Sequence, residues 1–269
     1  MKRFSLLFII FTAIVFSKTG AQDVKKIKKV LELKIPREGG ANAASVAWHP
    51  VLKKYYASMA GNASFFIGVY SPEGKLLCPV SQKTMFDVRG LWYNPNTKTL
   101  QMNGYKDFGW GEYKLDAKGF PFSVTVLHAG TNQPDDQSVG AFNPKDKSVY
   151  FFNEEGNIDK YDYKDATFQE NIGLHLGVAE KDADDMADNY EVLDLYNSSI
   201  IYTGIPGAEL GLLNYENKEI ELYNIKTGYL TRKFGLPDDA PLHDFLDFSY
   251  SNGIYWLFDT EARIWKGYK

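Results

Sequence analysis

One stretch of the sequence limits the fold more than any other. Val88-Arg89-Gly90-Leu91-Trp92-Tyr93-Asn94-Pro95 is a mostly apolar run that closes in an Asn-Pro turn. Similar text occurs at Ser45-Val46-Ala47-Trp48-His49-Pro50 and Ser138-Val139-Gly140-Ala141-Phe142-Asn143-Pro144. It recurs at Val192-Leu193-Asp194-Leu195-Tyr196-Asn197 and Leu246-Asp247-Phe248-Ser249-Tyr250-Ser251-Asn252. Taking the aromatic or leucine before each turn as a marker gives Trp48, Trp92, Phe142, Leu195 and Phe248, spaced by 44, 50, 53 and 53 residues. A repeat this long is one supersecondary unit. Such a unit cannot bury its faces alone and must stack on its neighbours.

Each unit reads as four short strands separated by residues that turns select. The second unit gives strands at 88–93, 99–105, 111–115 and 123–128, and the third at 139–142, 148–152, 158–163 and 168–172. The first gives 45–48, 54–59, 65–70 and 76–80. The fourth gives 192–196, 200–203, 219–225 and 230–234, with 210–215 as extra material. The fifth stops after three strands, at 245–249, 254–258 and 263–265, and the alternating stretch 29–35 supplies a fourth from the other end of the chain. The expectation is an all-β β-propeller of about five four-stranded blades, closed by an N-terminal strand that completes the C-terminal blade and leaves no free edge. Two packed sheets or a six-bladed ring are the alternatives. The unit pattern resembles the NHL, YncE and WD40-like β-propellers, most of all five-bladed ones. The Trp-Asp pair of WD40 repeats and the double glycines of kelch repeats are absent. The resemblance therefore implies an architecture and no activity.

The first 21 residues read as a secretory signal peptide: a basic Met1-Lys2-Arg3, an apolar run from Phe4 to Phe16, and small residues through Ala21. Residues 22–269 then form one propeller domain, secreted or periplasmic, with no membrane span after cleavage. Cleavage removes Lys2, Arg3 and Lys18, so 30 − 3 = 27 basic residues remain against 34 acidic ones. That balance argues against nucleic acid as a partner. Cys78 is the one cysteine and cannot form an internal disulfide, so the core must hold the fold. In Leu76-Leu77-Cys78-Pro79-Val80 it reads as a small buried apolar residue.

Chemistry is expected where loops lead into the innermost strands, because propellers gather those loops around one end of the channel. Counting back from the markers places Asn42, Asp87, Asp136, Asn189, and His243 with Asp244 in one ring, with Arg89 just inside. Asp87, Asp136 and Asp244 could coordinate Ca²⁺ through oxygen ligands. The same ring, Asn42, Asp87, Arg89, Asp136, His243 and Asp244, could instead bind a small molecule, a glycan or a protein. Alternatively, these residues only make turn hydrogen bonds. Asp194 and Asp247 occupy the same place in neighbouring units, which suggests either structural hydrogen bonding or a carboxylate pair of the glycosidase type. Asp182-Ala183-Asp184-Asp185 lacks the glycine and glutamate of an EF-hand and reads as solvated loop. His49, His128, His175 and His243 show no metal-ligand spacing, and no Gly-x-Ser-x-Gly elbow is present. The expected function is a secreted binding module acting at the channel face. A Ca²⁺-dependent hydrolase or lactonase-like enzyme and a structural interaction platform are the alternatives, and no catalytic residue is assigned.

Overall fold

The structure is a computed structural model, and it describes residues 24–36, 40, 42–185 and 192–269. The signal-peptide segment and Asn189 lie outside the described residues, and of Ala183, Asp184 and Asp185 only the backbone is described. Five sheets radiate from a common axis. The innermost strands are β3 (Asn42–His49), β6 (Val88–Asn94), β10 (Ala141–Asn143), β15 (Tyr196–Tyr202) and β19 (Phe248–Ser251). Each contacts the next, and β19 contacts β3, so the ring is closed. The chain is a five-bladed β-propeller.

Blade 1 continues with β4 (Lys54–Ala60) and β5 (Ile67–Tyr70). Blade 2 continues with β7 (Thr99–Gly104), β8 (Trp110–Leu115) and β9 (Pro121–His128). Blade 3 adds β11 (Ser148–Phe152), β12 (Ile158–Asp162) and β13 (Phe168–Ile172). Blade 4 adds β16 (Leu210–Asn214), β17 (Glu219–Tyr223) and β18 (Tyr229–Gly235). Blade 5 adds β20 (Ile254–Asp259), β21 (Ile264–Tyr268) and, paired antiparallel with β21, β2 (Lys29–Lys34). Two short strands, β1 (Lys25–Lys26) and β14 (His175–Ala179), lie parallel to β18 on the outside of blade 4.

Second strands are sandwiched between neighbouring blades, so both of their faces are buried. Their sequences are accordingly near-continuous apolar runs rather than alternating ones: Ser148-Val149-Tyr150-Phe151-Phe152 and Leu210-Gly211-Leu212-Leu213-Asn214 are buried throughout. Outermost strands are the reverse, and most of β13 is exposed. Large aromatic rings fill the wedges between blades. Trp92 stacks on Phe142 of the next blade with centroids 6.0 Å apart, and Tyr55 packs edge-on against Trp256 at 5.2 Å.

Two sequence expectations are corrected. In blade 1 residues 76–80 do not form a regular fourth strand. Leu76 makes one bridge to Tyr70, and Leu77 donates its amide to the Val69 carbonyl at 2.8 Å. The Leu77-Cys78-Pro79 run leaves no amide at Pro79 to continue a ladder. In blade 4, Leu193–Leu195 is a single 3₁₀ turn before the blade, Tyr196–Tyr202 is the innermost strand, and Leu210–Asn214 is the regular second strand rather than extra material. Leu195 was therefore the wrong marker. The apolar text that resembles the repeat there leads into the strand, and only its last residues, Tyr196 and Asn197, belong to it.

Candidate functional site

Strands alternate in direction, so one face of the ring collects both the loops that lead into innermost strands and the turns between second and third strands. This is called the upper face below.

Asp87 and Arg89 lie at this face but are closed in. Arg89 is 3% exposed. Its Nη1 donates to Asp87 Oδ1 at 2.7 Å and to the Val88 carbonyl at 2.9 Å, and its Nε donates to Gln137 Oε1 at 2.7 Å. The guanidinium carbon stands 4.8 Å from the centroid of the Tyr105 ring. Asp87 Oδ1 also accepts the Gly61 amide at 2.7 Å. The pair thus ties blade 2 to blade 1 through Gly61 and to blade 3 through Gln137, and its charges neutralise each other.

The remaining expected residues are scattered. Asn42 is exposed at the start of β3. Asp136 accepts the Lys106 amide through its own carbonyl at 2.9 Å. The His243 carbonyl accepts Asn197 Nδ2 at 2.8 Å, and the Asp244 carbonyl accepts the Ser198 amide at 3.0 Å. These backbone roles explain why turn-forming residues stand there. Among the described residues no three His, Cys, Asp or Glu side chains converge to hold a metal ion, and Asp87, Asp136 and Asp244 are not gathered into such a group.

Asp194 and Asp247 are not equivalents. Asp194 is exposed on the 3₁₀ turn, whereas Asp247 is 7% exposed just before β19. Leu246 and Asp247 both take left-handed backbone conformations, with φ of 53° and 62°. Two consecutive non-glycine residues rarely do so. The turn they make is held from outside: Asn197 Nδ2 donates to the Leu246 carbonyl at 2.5 Å, and the Phe258 amide donates to the Asp247 carbonyl at 3.1 Å. Asp247 Oδ1 accepts the Ala43 amide at 3.2 Å. Burial pushes this carboxyl up to about 7, and the Ala43 hydrogen bond offsets only part of that.

A raised folded-state pKa means that the native state holds the proton where the unfolded chain has lost it. The contribution of Asp247 to stability is therefore fully present below about pH 4 and is lost as pH rises towards 7. Asp247→Asn keeps an acceptor for Ala43 and tolerates the left-handed backbone. The stability difference between Asp247→Asn and the parent is expected to grow by roughly 1 kcal/mol per pH unit between pH 4 and 7, in favour of the variant. Urea titrations at four pH values measure it, and a pH-independent difference rejects the assignment.

The cleft of the upper face lies off-axis, over blades 3, 4 and 5, and has a volume of ≈ 570 Å³. Four carboxylates line it: Asp135 and Glu154 from blade 3, Asp194 before blade 4, and Asp244 before blade 5. Phe152, Tyr196, Tyr215 and Phe245 supply its aromatic surface, and Gln137, Ser138, Asn153 and Ser198 its neutral polar groups. Among the described residues no Lys, Arg or His lines it. The Tyr196 ring is fixed from below, where its hydroxyl donates to Glu221 Oε2 at 2.7 Å. Tyr223 donates to the same oxygen at 2.5 Å, and Lys233 Nζ stands 3.0 Å from Glu221 Oε1. Gln137 both lines the cleft and accepts from Arg89, so the ion pair steadies the cleft wall without facing the ligand space. Of the described ring residues expected from sequence only Asp244 lines the cleft, joined there by Asp194 of the expected carboxylate pair. The turn at Asn153-Glu154 and Tyr215 follow second strands, and counting back from innermost strands could not reach them. Strand alternation alone places those turns on this face.

No family model matches the chain, and no curated protein matches it. Among solved structures it is similar to glutaminyl cyclase of Myxococcus xanthus, with a TM-score of 0.56 over 91% of this chain and 96% of that one, at 6% identity. A streptogramin B lyase structure gives a TM-score of 0.42 at 16% identity, over 84% of this chain and 65% of that one. A structure of a nidogen/laminin complex gives 0.41 at 10% identity, over 75% and 66%. What is shared with the cyclase is the propeller fold.

Proposed function

We propose that the chain is an exported binding propeller that takes a positively charged, hydroxyl-rich ligand of the amino-sugar class in the upper-face cleft. The carrying observation is that, among the described residues, four carboxylates and no basic side chain line a cavity of ≈ 570 Å³ with aromatic walls. That size suits a small molecule or a glycan end. Aromatic faces suit the apolar faces of sugar rings and, through their quadrupole, a cation. Carboxylates suit hydroxyl and ammonium donors. The hydrolase considered from sequence would need mouth aspartates around a cation, and among the described residues no such ligand set converges. Among the described residues no helix is long and apolar enough to cross a membrane.

Calorimetry with glucosamine oligosaccharides, neutral cello-oligosaccharides and spermidine tests the reading. The amino sugar is expected to bind best. Asp244→Asn and Glu154→Gln are each expected to weaken it about tenfold, and Tyr215→Ala to remove the preference for a sugar over spermidine. Binding of the neutral sugar equal to that of the amino sugar, unchanged in both carboxamide variants, rejects the proposal.

A further inference from the structure

The turns joining first to second strands and third to fourth strands collect on the lower face, opposite the cleft. Contacts between them fix this placement: Asn96 Nδ2 reaches the Pro144 carbonyl at 3.4 Å, Tyr56 donates to the Gly119 carbonyl at 2.7 Å, and the Tyr163 amide donates to the Lys147 carbonyl at 2.9 Å. These turns present Lys53, Lys98, Lys118, Lys145, Lys147 and Lys164, all exposed. None of the six is among the ion pairs of the described residues.

Three features describe this face, the first of them shared with Lys106 and Lys218 of the upper face. Lys53, Lys98 and Lys147 occupy the same left-handed position in three successive blades, with φ of 50°, 62° and 58°. Glycine or asparagine is sterically preferred there, so lysine carries a conformational cost at each. The acids of the same turns are exposed but are engaged locally: Asp116 accepts the amides of Lys118 and Phe120, Asp146 accepts the Tyr150 hydroxyl, and Asp165 accepts the Thr167 hydroxyl. The six lysines outnumber these three acids and none of them is held in an ion pair among the described residues, in a chain of formal net charge −4. Finally, Val51 and Leu52, 69% and 38% exposed, stand beside Lys53 at the tip of the first turn.

We propose that the lower face docks on an anionic lipid surface. The lysines engage headgroup phosphates, and Val51 and Leu52 enter the interfacial layer. An apolar tip inside a cationic rim gains free energy only where hydrocarbon lies within reach, which favours a bilayer over a dissolved polyanion. The acidic upper face is repelled by the same surface, so the molecule is oriented with its cleft outward.

Sedimentation of the chain recovered after export, with vesicles of phosphatidylcholine alone or with about 30 mol% phosphatidylglycerol, tests this. Binding is expected only with the anionic lipid and is expected to fall with salt. Lys98→Glu with Lys147→Glu is expected to weaken partitioning by at least about tenfold, and Lys145→Glu with Lys164→Glu to do the same. Lys83→Glu with Lys106→Glu, on the upper face, is expected to change it less than about twofold. Val51→Ser with Leu52→Ser is expected to weaken vesicle binding several-fold and to leave any dextran sulfate binding unchanged. The proposal is overturned by absence of anionic-vesicle binding at low salt. Equal losses in lower-face and upper-face pairs, or vesicle binding indifferent to the serine pair, also overturn it.

Discussion

Replacing Asp87 by alanine is expected to lower the stability of the protein by about 3–5 kcal/mol, although the residue stands at the rim where ligands are expected. Its partner Arg89 is 3% exposed and cannot turn outward to water. Without the carboxylate, a guanidinium would remain buried with only Gln137, the Val88 carbonyl and the Tyr105 ring beside it. The Gly61 amide would also lose its acceptor. Breaking a buried pair from one side costs much more than removing both charges. The double variant Asp87→Ala with Arg89→Met is therefore expected to be more stable than Asp87→Ala alone. Urea unfolding of the parent, both single variants and the double variant closes the cycle. In melting, the single change corresponds to roughly 10 °C. A loss under about 1 kcal/mol for Asp87→Ala, or a double variant no better than the single, removes the ion pair from its structural role.

The repeat was legible because strand text is local: alternation, turn residues and a fixed period survive in one dimension. The blades at Val88–Asn94 and Ser148–Phe152 follow that text closely. The reading failed where the same letters served another purpose. Val192 to Tyr196 has the composition of an innermost strand, yet its first residues form a 3₁₀ turn and the strand starts at Tyr196. What decides between them is the register of Ile200, Ile201 and Tyr202 against Leu210 to Leu212, which are residues of the neighbouring strand. The ring of rim residues failed for a related reason. Asp87 and Asp136 stand five and six residues before Trp92 and Phe142, but one carboxylate is taken up by Arg89 and the other residue serves through its carbonyl. Position along the chain gives the face of the ring and not the partner. Asp135, Glu154 and Asp194 come from different parts of the sequence, and only the stacking of blades 3, 4 and 5 brings them around one space.

Asn103→Ala is expected to destabilise the protein by about 3–5 kcal/mol, from a residue that no motif singles out. Asn103 is fully buried in the second strand of blade 2. Its Oδ1 accepts two backbone amides, Gly90 and Gly140, at 2.9 Å each. Its Nδ2 donates to Gln133 Oε1 at 2.8 Å and to the Ser138 carbonyl at 2.7 Å. One side chain thus holds the innermost strand of blade 2 and the loop leading into blade 3. The approach is close because strand and loop each carry glycine: a Cβ on Gly90 would stand 2.4 Å from the Gly140 carbonyl oxygen and 2.7 Å from its nitrogen. Alanine at position 103 would leave two buried amides without their acceptor, each costing about 1–3 kcal/mol. Two measurements check this: the unfolding free energy in urea, and hydrogen exchange at the Gly90 and Gly140 amides, which should accelerate beyond the rest of their strands. A loss within about 1 kcal/mol, or unchanged exchange at both glycines, refutes the clip. The loop that Asn103 anchors includes Gln137, the acceptor for Arg89, and with Ser138 and Asp135 it forms one wall of the cleft. Residual folded Asn103→Ala protein should therefore bind the cleft ligand more weakly, with its carboxylates intact. The side chains that shape the site and those that close the ring are in this loop the same few residues.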